Sequence, residues 1–240
     1  MTLRSLEISN INQRKTEIMN EILEKIALCV ESGKINEKSP YPPTMKGQPG
    51  ADELTLKALE DGVSPSDVLS KGLIVGMGRI GAKFRDGKVF VPQVLMSAKA
   101  MNGAMAHLKK YFVDGSVQRK GKLIMGTVEG DLHDIGKNLV CMIAEGNGYE
   151  VIDLGVDVTA DKFIAAIKEH PGAFVGMSAL LTTTMANMEK INSRIKAEFP
   201  EVITCVGGAP LNSEFAQKIG ADYYTDEPQA LVDILDKLVG

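Results

Sequence analysis

The first half of the chain carries the hydrophobic periodicity of helices. Apolar residues recur at spacings of four, four and three, with charged residues between them, at Ile18, Ile22, Ile26 and Cys29. This pattern predicts an amphipathic helix from about residue 10 to residue 30. A polar stretch rich in proline and glycine, residues 33–50, is predicted to be a loop. Three further stretches with helical spacing follow within residues 51–112, so the sequence predicts a bundle of four helices.

The hydrophobic period changes after Gly121. Short apolar runs now alternate with helical stretches, which gives five predicted strands and five predicted helices. Strict alternation predicts a parallel sheet with helices on both faces, and the flavodoxin-like strand order 2-1-3-4-5 is the default for five strands. The fold class is therefore α/β: an N-terminal helical bundle followed by a flavodoxin- or Rossmann-like five-stranded parallel sheet domain. The polar, glycine-bounded segment 113–121 places the domains at residues 1–115 and 116–240.

Composition narrows the function classes. The 27 Lys and Arg against 31 Asp and Glu give a formal charge of −4, which argues against a nucleic-acid partner. No apolar run approaches the roughly 20 residues that a membrane span needs, and the N-terminus lacks a basic region followed by an apolar stretch. We therefore expect a cytoplasmic protein with no membrane partner. The cysteines Cys29, Cys141 and Cys205 are isolated from one another, and we expect them to be buried rather than paired or metal-bound.

Three loops of the predicted sheet domain carry unusual residues. In a doubly wound sheet, ligands bind at the carboxyl ends of the strands where the winding reverses, here between the first and third strands. The loop after the first strand reads E-G-D-L-H-D-I-G-K-N, the loop after the third reads S-A-L-L-T-T-T, and the loop after the fourth reads G-G-A-P. With the expected strand order, these three loops line one crevice.

His133 is the candidate metal ligand in this crevice, although by itself it is equally well explained as a loop histidine bonded to its neighbours. Asp131 lies two residues upstream and can accept the imidazole N–H, which would fix the tautomer. Hydroxyl groups of the facing loop could extend this relay. A free zinc or iron ion needs about three or four protein ligands, and the sequence offers one histidine here. A metal that arrives with its other ligands is therefore favoured, and the Gly207–Gly208 pair suggests a passage for something bulky.

The three loops together resemble the Asp-x-His-x-x-Gly, Ser-x-Leu and Gly-Gly signature of cobalamin-binding domains. Here 41 residues separate Gly136 from Ser178, and 26 separate Leu180 from Gly207. In the first half, M-G-R-I-G-A-K-F-R-D-G-K-V-F-V-P-Q-V-L-M-S-A-K-A-M is similar to the helical cap of cobalamin-dependent methionine synthase and of the corrinoid proteins of anaerobic methyltransferase systems. The resemblance covers roughly residues 51 to 240.

The resemblance implies a role for each motif residue. His133 would replace the cofactor's own dimethylbenzimidazole as the lower axial ligand of cobalt, so that cobalamin or a related corrinoid binds base-off and its nucleotide tail enters the sheet domain. Asp131 would hold His133, and Thr184 lies where methionine synthase has a serine that completes an Asp-His-Ser relay. Phe84 and Val91 match positions that cover the upper face of the corrin. The residues implied to contact the corrinoid are Phe84, Val91, Asp131, Leu132, His133, Asp134, Ile135, Gly136, Ser178, Leu180, Thr182, Gly207 and Gly208.

The resemblance also implies a function. The protein would carry a methyl group on cobalt from a substrate-specific methyltransferase to a second methyltransferase, and a reductive activator of the cobalt would be a further partner. Such a carrier catalyses nothing by itself. Methyl transfer would be linked to protonation of the Asp131–His133 pair, and the bundle would have to move aside to admit a partner. Two alternatives stay open, a cobalamin-binding regulator and the small subunit of a cobalamin-dependent mutase.

Two other features have simpler explanations. G-M-G-R-I-G at residues 76–81 matches a dinucleotide-binding motif, but that motif needs a carboxylate about 20 residues further on, and Asp86 is the one acid in residues 82–113. Close helix packing is the better interpretation of these glycines. His107 and His170 are predicted to be surface or capping residues.

Overall fold

The computed structural model describes residues 3–239, except for the side chains of residues 3–12 and 15. The chain divides into two compact units, residues 1–118 and 119–240. The sequence had placed the boundary between residues 115 and 116. Among the described residues, no helix is both long and apolar enough to cross a membrane.

The N-terminal unit is helical, as predicted. Ser64 starts the third predicted helix by accepting a hydrogen bond from the Asp67 N–H at 3.0 Å. This helix runs without interruption through a π-helical segment, and the loop 33–50 contains one 3₁₀ turn. The elements are α1 (Leu3–Ser32), the 3₁₀ turn (Pro43–Met45), α2 (Ala51–Glu60), α3 (Pro65–Asp67), the π-helical segment (Val68–Leu73), α4 (Ile74–Arg85) and α5 (Val91–Val113).

Glycines let α4 pack closely against α1. A Cβ atom at Gly76 would lie 2.5 Å from the carbonyl oxygen of Ala27 and 2.7 Å from the Cβ of Val30. Gly76 therefore cannot carry a side chain without separating the two helices. This contact confirms the helix-packing interpretation for Gly76, the first glycine of G-M-G-R-I-G.

Two residues of the bundle differ from their predicted environment. Ile18 was placed on the buried face of α1, yet it is 62% exposed, whereas Ile22 and Ile26 on the same face are buried. His107 is not a simple surface residue: it is partly buried, and its Nε2 lies 2.5 Å from Oδ1 of Asp52. This pair connects α5 with α2. His170 is the C-cap residue of α7 in the other unit, which agrees with the prediction.

The C-terminal unit is a parallel sheet in the order β2-β1-β3-β4-β5, which confirms the predicted topology. Its short apolar strands are buried because helices cover both faces. The elements are β1 (Lys122–Thr127), α6 (Ile135–Gly146), β2 (Glu150–Asp153), α7 (Ala160–Glu169), β3 (Phe174–Ser178), α8 (Met185–Glu198), β4 (Thr204–Gly207), α9 (Ser213–Lys218), β5 (Tyr223–Thr225) and α10 (Pro228–Val239).

The two faces of the sheet are packed differently. On one face, α7 and α8 cover a continuous apolar core that includes Phe163, Met177, Ile191 and Val206. On the other face, α6 contacts α10. Strand side chains alternate between the faces, so every second residue of β1, β3 and β4 points toward α6 and α10.

All three cysteines are buried and free, as predicted. Burial raises the pKa of the Cys29 thiol to about 11 and the pKa of Cys141 and Cys205 to about 12. These groups therefore remain neutral thiols near pH 7.

Candidate functional site

His133 and Asp131 form a hydrogen-bonded pair in the loop between β1 and α6. The carboxyl group of Asp131 is fully buried, whereas the His133 side chain is 51% exposed. Oδ1 of Asp131 lies 2.9 Å from Nδ1 of His133 and also accepts the His133 backbone N–H at 3.1 Å. Because an ionised carboxylate only accepts hydrogen bonds, Nδ1 must carry the proton. In the neutral imidazole, the lone pair is then on Nε2, the ligating atom of many metal-bound histidines.

The second oxygen of Asp131 is held by the loop that follows β3. Oδ2 accepts the backbone N–H groups of Leu180 at 2.8 Å and Leu181 at 3.2 Å, and the hydroxyl of Thr184 at 2.8 Å. Burial alone would raise the pKa of Asp131, but these hydrogen bonds and those from His133 together hold that pKa well below its usual range. Asp131 therefore stays ionised, and the relay residue Thr184 lies within hydrogen-bond distance of it.

Three residues that the sequence analysis did not select fix the backbone of the histidine loop. The buried Thr127 donates its hydroxyl to the carbonyl oxygen of His133 at 2.9 Å. Asn187 on α8 donates to a carbonyl at the start of the loop at 2.9 Å, and the Asp157 carboxylate accepts a loop N–H at 2.7 Å. A hydroxyl at the end of an otherwise apolar strand was the available signal for Thr127. Asn187 comes from α8 and Asp157 from the loop between β2 and α7, and neither carries such a signal.

A cavity of about 660 Å³ opens beside His133 within the C-terminal unit. It lies between the carboxyl ends of β1, β3, β4 and β5 and the first turns of α6 and α10. Its volume is within the range of about 300–1,000 Å³ that is usual for small-molecule sites. The predicted site residues that line it are Leu132, His133, Asp134, Ile135, Gly136, Ser178, Leu180, Gly207 and Gly208.

The other predicted site residues lie elsewhere. Asp131 and Thr184 are behind His133 and do not line the cavity. Thr182 is exposed and outside the lining, because it lies on the solvent side of the turn before α8. Phe84, in the last turn of α4, and Val91, the first residue of α5, are half-buried and belong to the N-terminal unit.

The cavity also has lining residues that the sequence analysis missed. One group follows β5, whose carboxyl end lies at the same edge of the sheet as the three loops that were selected. The rule that ligands bind at the carboxyl ends of parallel strands therefore also pointed to the segment T-D-E-P, residues 225–228. A second group lies inside the strands, where only the register of the sheet reveals a common wall. The missed residues are Met125, Val140, Gly176, Met177, Ala179, Cys205, Val206, Ala209, Tyr224, Thr225, Asp226, Glu227, Pro228 and Leu231.

Gly207, the last residue of β4, and Gly208, which follows it, bring backbone close to backbone at the cavity rim. A Cβ at Gly208, where φ is +136°, would lie 1.8 Å from the carbonyl oxygen of Ala179. A Cβ at Gly207 would lie 2.9 Å from the carbonyl oxygen of Thr225. At Gly136, by contrast, a Cβ would have no neighbour within 4 Å, so this residue borders open space. Glycine is thus required at position 208 by both space and conformation.

This set of residues fits a metal that brings most of its own ligands. In the described part of the chain, no group of three or more His, Cys, Asp or Glu side chains could hold a metal ion. His133 presents a single oriented nitrogen next to a deep cavity. A corrinoid matches both features, because it needs one further ligand for its cobalt and has a long nucleotide tail to accommodate.

Comparisons with known proteins agree with this fit. Two family models described as B12 binding domain match residues 121–234 and 48–109. A corrinoid protein of Desulfitobacterium hafniense (strain Y51) is 37% identical over 195 residues, which is 78% of this chain and 89% of the relative. The chain belongs to the corrinoid proteins. The family resemblance is thereby confirmed, and with it the binding of a corrinoid cofactor.

Other corrinoid proteins and solved structures are also similar. The dimethylamine corrinoid protein of Methanosarcina barkeri is 41% identical over 167 residues, 68% of this chain and 78% of the relative. The methanol:cobalamin methyltransferase complex MtaBC from Methanosarcina barkeri matches with a TM-score of 0.77 and 28% identity, covering 100% of this chain and 93% of that chain. A cobalamin-binding protein from Desulfitobacterium hafniense DCB-2 matches with a TM-score of 0.67 and 30% identity, covering 78% of this chain and 90% of that chain. The fold class is therefore that of known corrinoid proteins.

Proposed function

We propose that this corrinoid protein carries a methyl group between a substrate-specific methyltransferase and a second, acceptor methyltransferase, and that a reductive activator maintains its cobalt. The observation that carries this proposal is the oriented His133 imidazole at the rim of a deep cavity. Similar proteins named for trimethylamine and dimethylamine, and the match to a methanol:cobalamin methyltransferase complex, favour a methyl-transfer system. The cobalt of a bound corrinoid supplies the methyl-carrying chemistry.

His133 is the proposed lower ligand of that cobalt, through Nε2. The Asp131 carboxylate holds the proton on Nδ1 and so keeps the Nε2 lone pair available. Thr184 and the N–H groups of Leu180 and Leu181 hold the carboxylate in turn. The ligand is therefore oriented by a buried, ionised group, and the imidazole needs little rearrangement to bind metal.

The cavity beside His133 is the proposed slot for the displaced nucleotide tail. Ser178 and Leu180 form one side of its rim, and Gly207 and Gly208 form another. Gly136 leaves open space at the start of α6. Phe84 and Val91 are assigned to the upper face of the corrin on the family resemblance of the segment that joins α4 to α5.

A methyl-transfer assay tests this function. The reduced, corrinoid-loaded protein would be mixed in turn with methyltransferases of methylamine and methanol systems, each supplied with its methylamine or with methanol as methyl donor, and the visible spectrum of the bound corrinoid would be followed. We expect at least one of them to methylate the corrinoid and an acceptor methyltransferase to remove the methyl group. His133→Gln is expected to slow transfer at least tenfold, whereas the control His170→Gln is expected to leave it unchanged. A bound corrinoid that no methyltransferase of these systems modifies would contradict a carrier role in methylamine and methanol transfer.

A further inference from the structure

The cavity has a polar rim and an apolar floor. The strand register places Thr127, Ser178, Gly207 and Thr225 side by side in one row at the carboxyl edge of the sheet. Two residues earlier in each strand, and so roughly 6–7 Å deeper, the next row contains Met125, Gly176 and Cys205. Both rows point toward α6 and α10. Asp226 and Glu227 follow β5 and line the cavity, so their backbone lies at the level of the rim.

The floor offers no side-chain nitrogen or oxygen among the residues that line it. Met125, Gly176 and Cys205 form its strand side, and Val140 of α6 and Leu231 of α10 form its helix side. The sulfur of Met125 lies directly against Gly176, because a Cβ atom on Gly176 would be 2.4 Å from that sulfur. The Cys205 thiol is 2% exposed and uncharged, and its S–H is a weak donor.

The residues of β3 and β4 that lie between the two rows add no hydrogen-bonding side chain to the cavity floor. The side chains of Met177 and Val206 belong to the apolar core on the opposite face of the sheet. These two residues therefore line the cavity with their backbone atoms. That backbone is engaged in the parallel ladders of β3 and β4. A group that reaches the floor therefore finds no free hydrogen-bonding partner there.

We propose that this cavity selects corrinoids by their lower base, accepting a benzimidazole and discriminating against a purine. The inference rests on the proposed function, in which the nucleotide tail enters the cavity from the side of His133. The base is the far end of that tail, so it reaches the floor. A dimethylbenzimidazole presents carbon and hydrogen at its outer edge. An adenine presents an amino group and two further ring nitrogens, which would be buried without partners.

Binding of three cobamides to the corrinoid-free protein tests this selection. The probes are cobalamin, the corresponding cobamide with adenine as lower base, and cobinamide, which lacks the nucleotide. Free cobamide would be measured by its absorbance after ultrafiltration. We expect cobalamin to bind at least tenfold more tightly than the adenine form, which corresponds to about 1.4 kcal/mol. Equal affinity for these two probes overturns the inference.

Cobinamide separates this inference from the proposed function. If cobinamide binds more weakly than cobalamin while cobalamin and the adenine form bind equally, the tail uses the cavity and the selection alone is wrong. If cobinamide binds as tightly as cobalamin, the tail contributes nothing, and the proposed tail slot fails as well.

A matched pair of variants locates the selecting group. Cys205→Ser keeps the size of the side chain but adds a hydroxyl to the floor that can donate and accept. We expect it to reduce the preference for cobalamin at least threefold, mainly by improving binding of the adenine form. Cys141→Ser, a buried cysteine outside the cavity lining, is expected to leave the preference unchanged. If Cys205→Ser has the melting temperature of the parent and an unchanged preference for cobalamin over the adenine form, the lower base does not contact the floor at Cys205. That result contradicts the inference.

Discussion

Gly208→Ala is expected to destabilise the C-terminal unit by roughly 2–6 kcal/mol and to weaken corrinoid binding at least tenfold. The added Cβ would lie 1.8 Å from a backbone oxygen of Ala179, and φ at this residue is +136°. A backbone atom cannot rotate out of the way as a flexible side chain can. The ends of β3 and β4 would have to separate, although the Ala179 N–H bonds to the Gly207 carbonyl there at 3.2 Å. The rim of the cavity would be deformed with them.

Urea unfolding of the corrinoid-free protein measures this effect. Tyrosine fluorescence is a suitable signal, because the chain has no tryptophan and three of its five tyrosines, Tyr149, Tyr223 and Tyr224, lie in the C-terminal unit. Gly136→Ala is the matched control, since a Cβ there meets nothing within 4 Å. We expect the stability of the control to stay within about 1 kcal/mol of the parent. Equal stability of the two alanine variants would show that Gly208 is not required by packing.

Asp131→Ala is expected to cost roughly 3–5 kcal/mol, the usual cost of removing one partner from a buried charged network. The carboxylate accepts five hydrogen bonds, two from His133 and one each from Leu180, Leu181 and Thr184. In the variant, the N–H and O–H groups that donate these hydrogen bonds would be left without an acceptor or would bind water that enters the site. The imidazole would also lose its orientation, and corrinoid affinity is expected to fall roughly 10–100-fold. Asp134→Asn, in an exposed position of the same loop, is the control and should change stability little.

The stabilisation by Asp131 should also depend on pH. Its pKa in the folded protein is well below its usual range, so the folded state binds fewer protons than the unfolded state in this region. The contribution is complete above the unfolded pKa of about 4 and is lost as the pH falls toward the folded pKa. The stability difference between the parent and Asp131→Ala should therefore shrink below about pH 4. A difference that is the same at pH 7 and pH 3 would mean that Asp131 has an ordinary pKa.

Local sequence patterns were sufficient to predict the helices and strands and their order along the chain. The three- and four-residue spacing of the first half and the strand–helix alternation of the second depend on near neighbours in the chain. The Asp131–His133 pair is equally local, because a carboxylate two residues away can reach an imidazole within one turn of a loop. Thr184 required the family resemblance in addition, since 52 residues separate it from Asp131.

What the sequence did not reveal depends on tertiary arrangement. Ile18 has the spacing of a buried residue, but exposure is decided by how far the neighbouring helices extend along α1. Asn187 and Asp157 reach the histidine loop from different parts of the chain. The cavity floor depends on register, because Gly176 and Cys205 become a single wall only when β3 and β4 pair in that alignment.

Electron paramagnetic resonance of the loaded protein tests most directly whether His133 is the ligand beneath cobalt. The protein would be produced with ¹⁵N in its histidines alone, loaded with an unlabelled corrinoid and held as Co(II). A nitrogen bound along the axis splits the cobalt lines into three if it is ¹⁴N and into two if it is ¹⁵N. We predict pairs of lines in the labelled parent and their disappearance in His133→Gly. Triplets that persist in the labelled protein would show that the corrinoid keeps its own base, contrary to the proposed ligation.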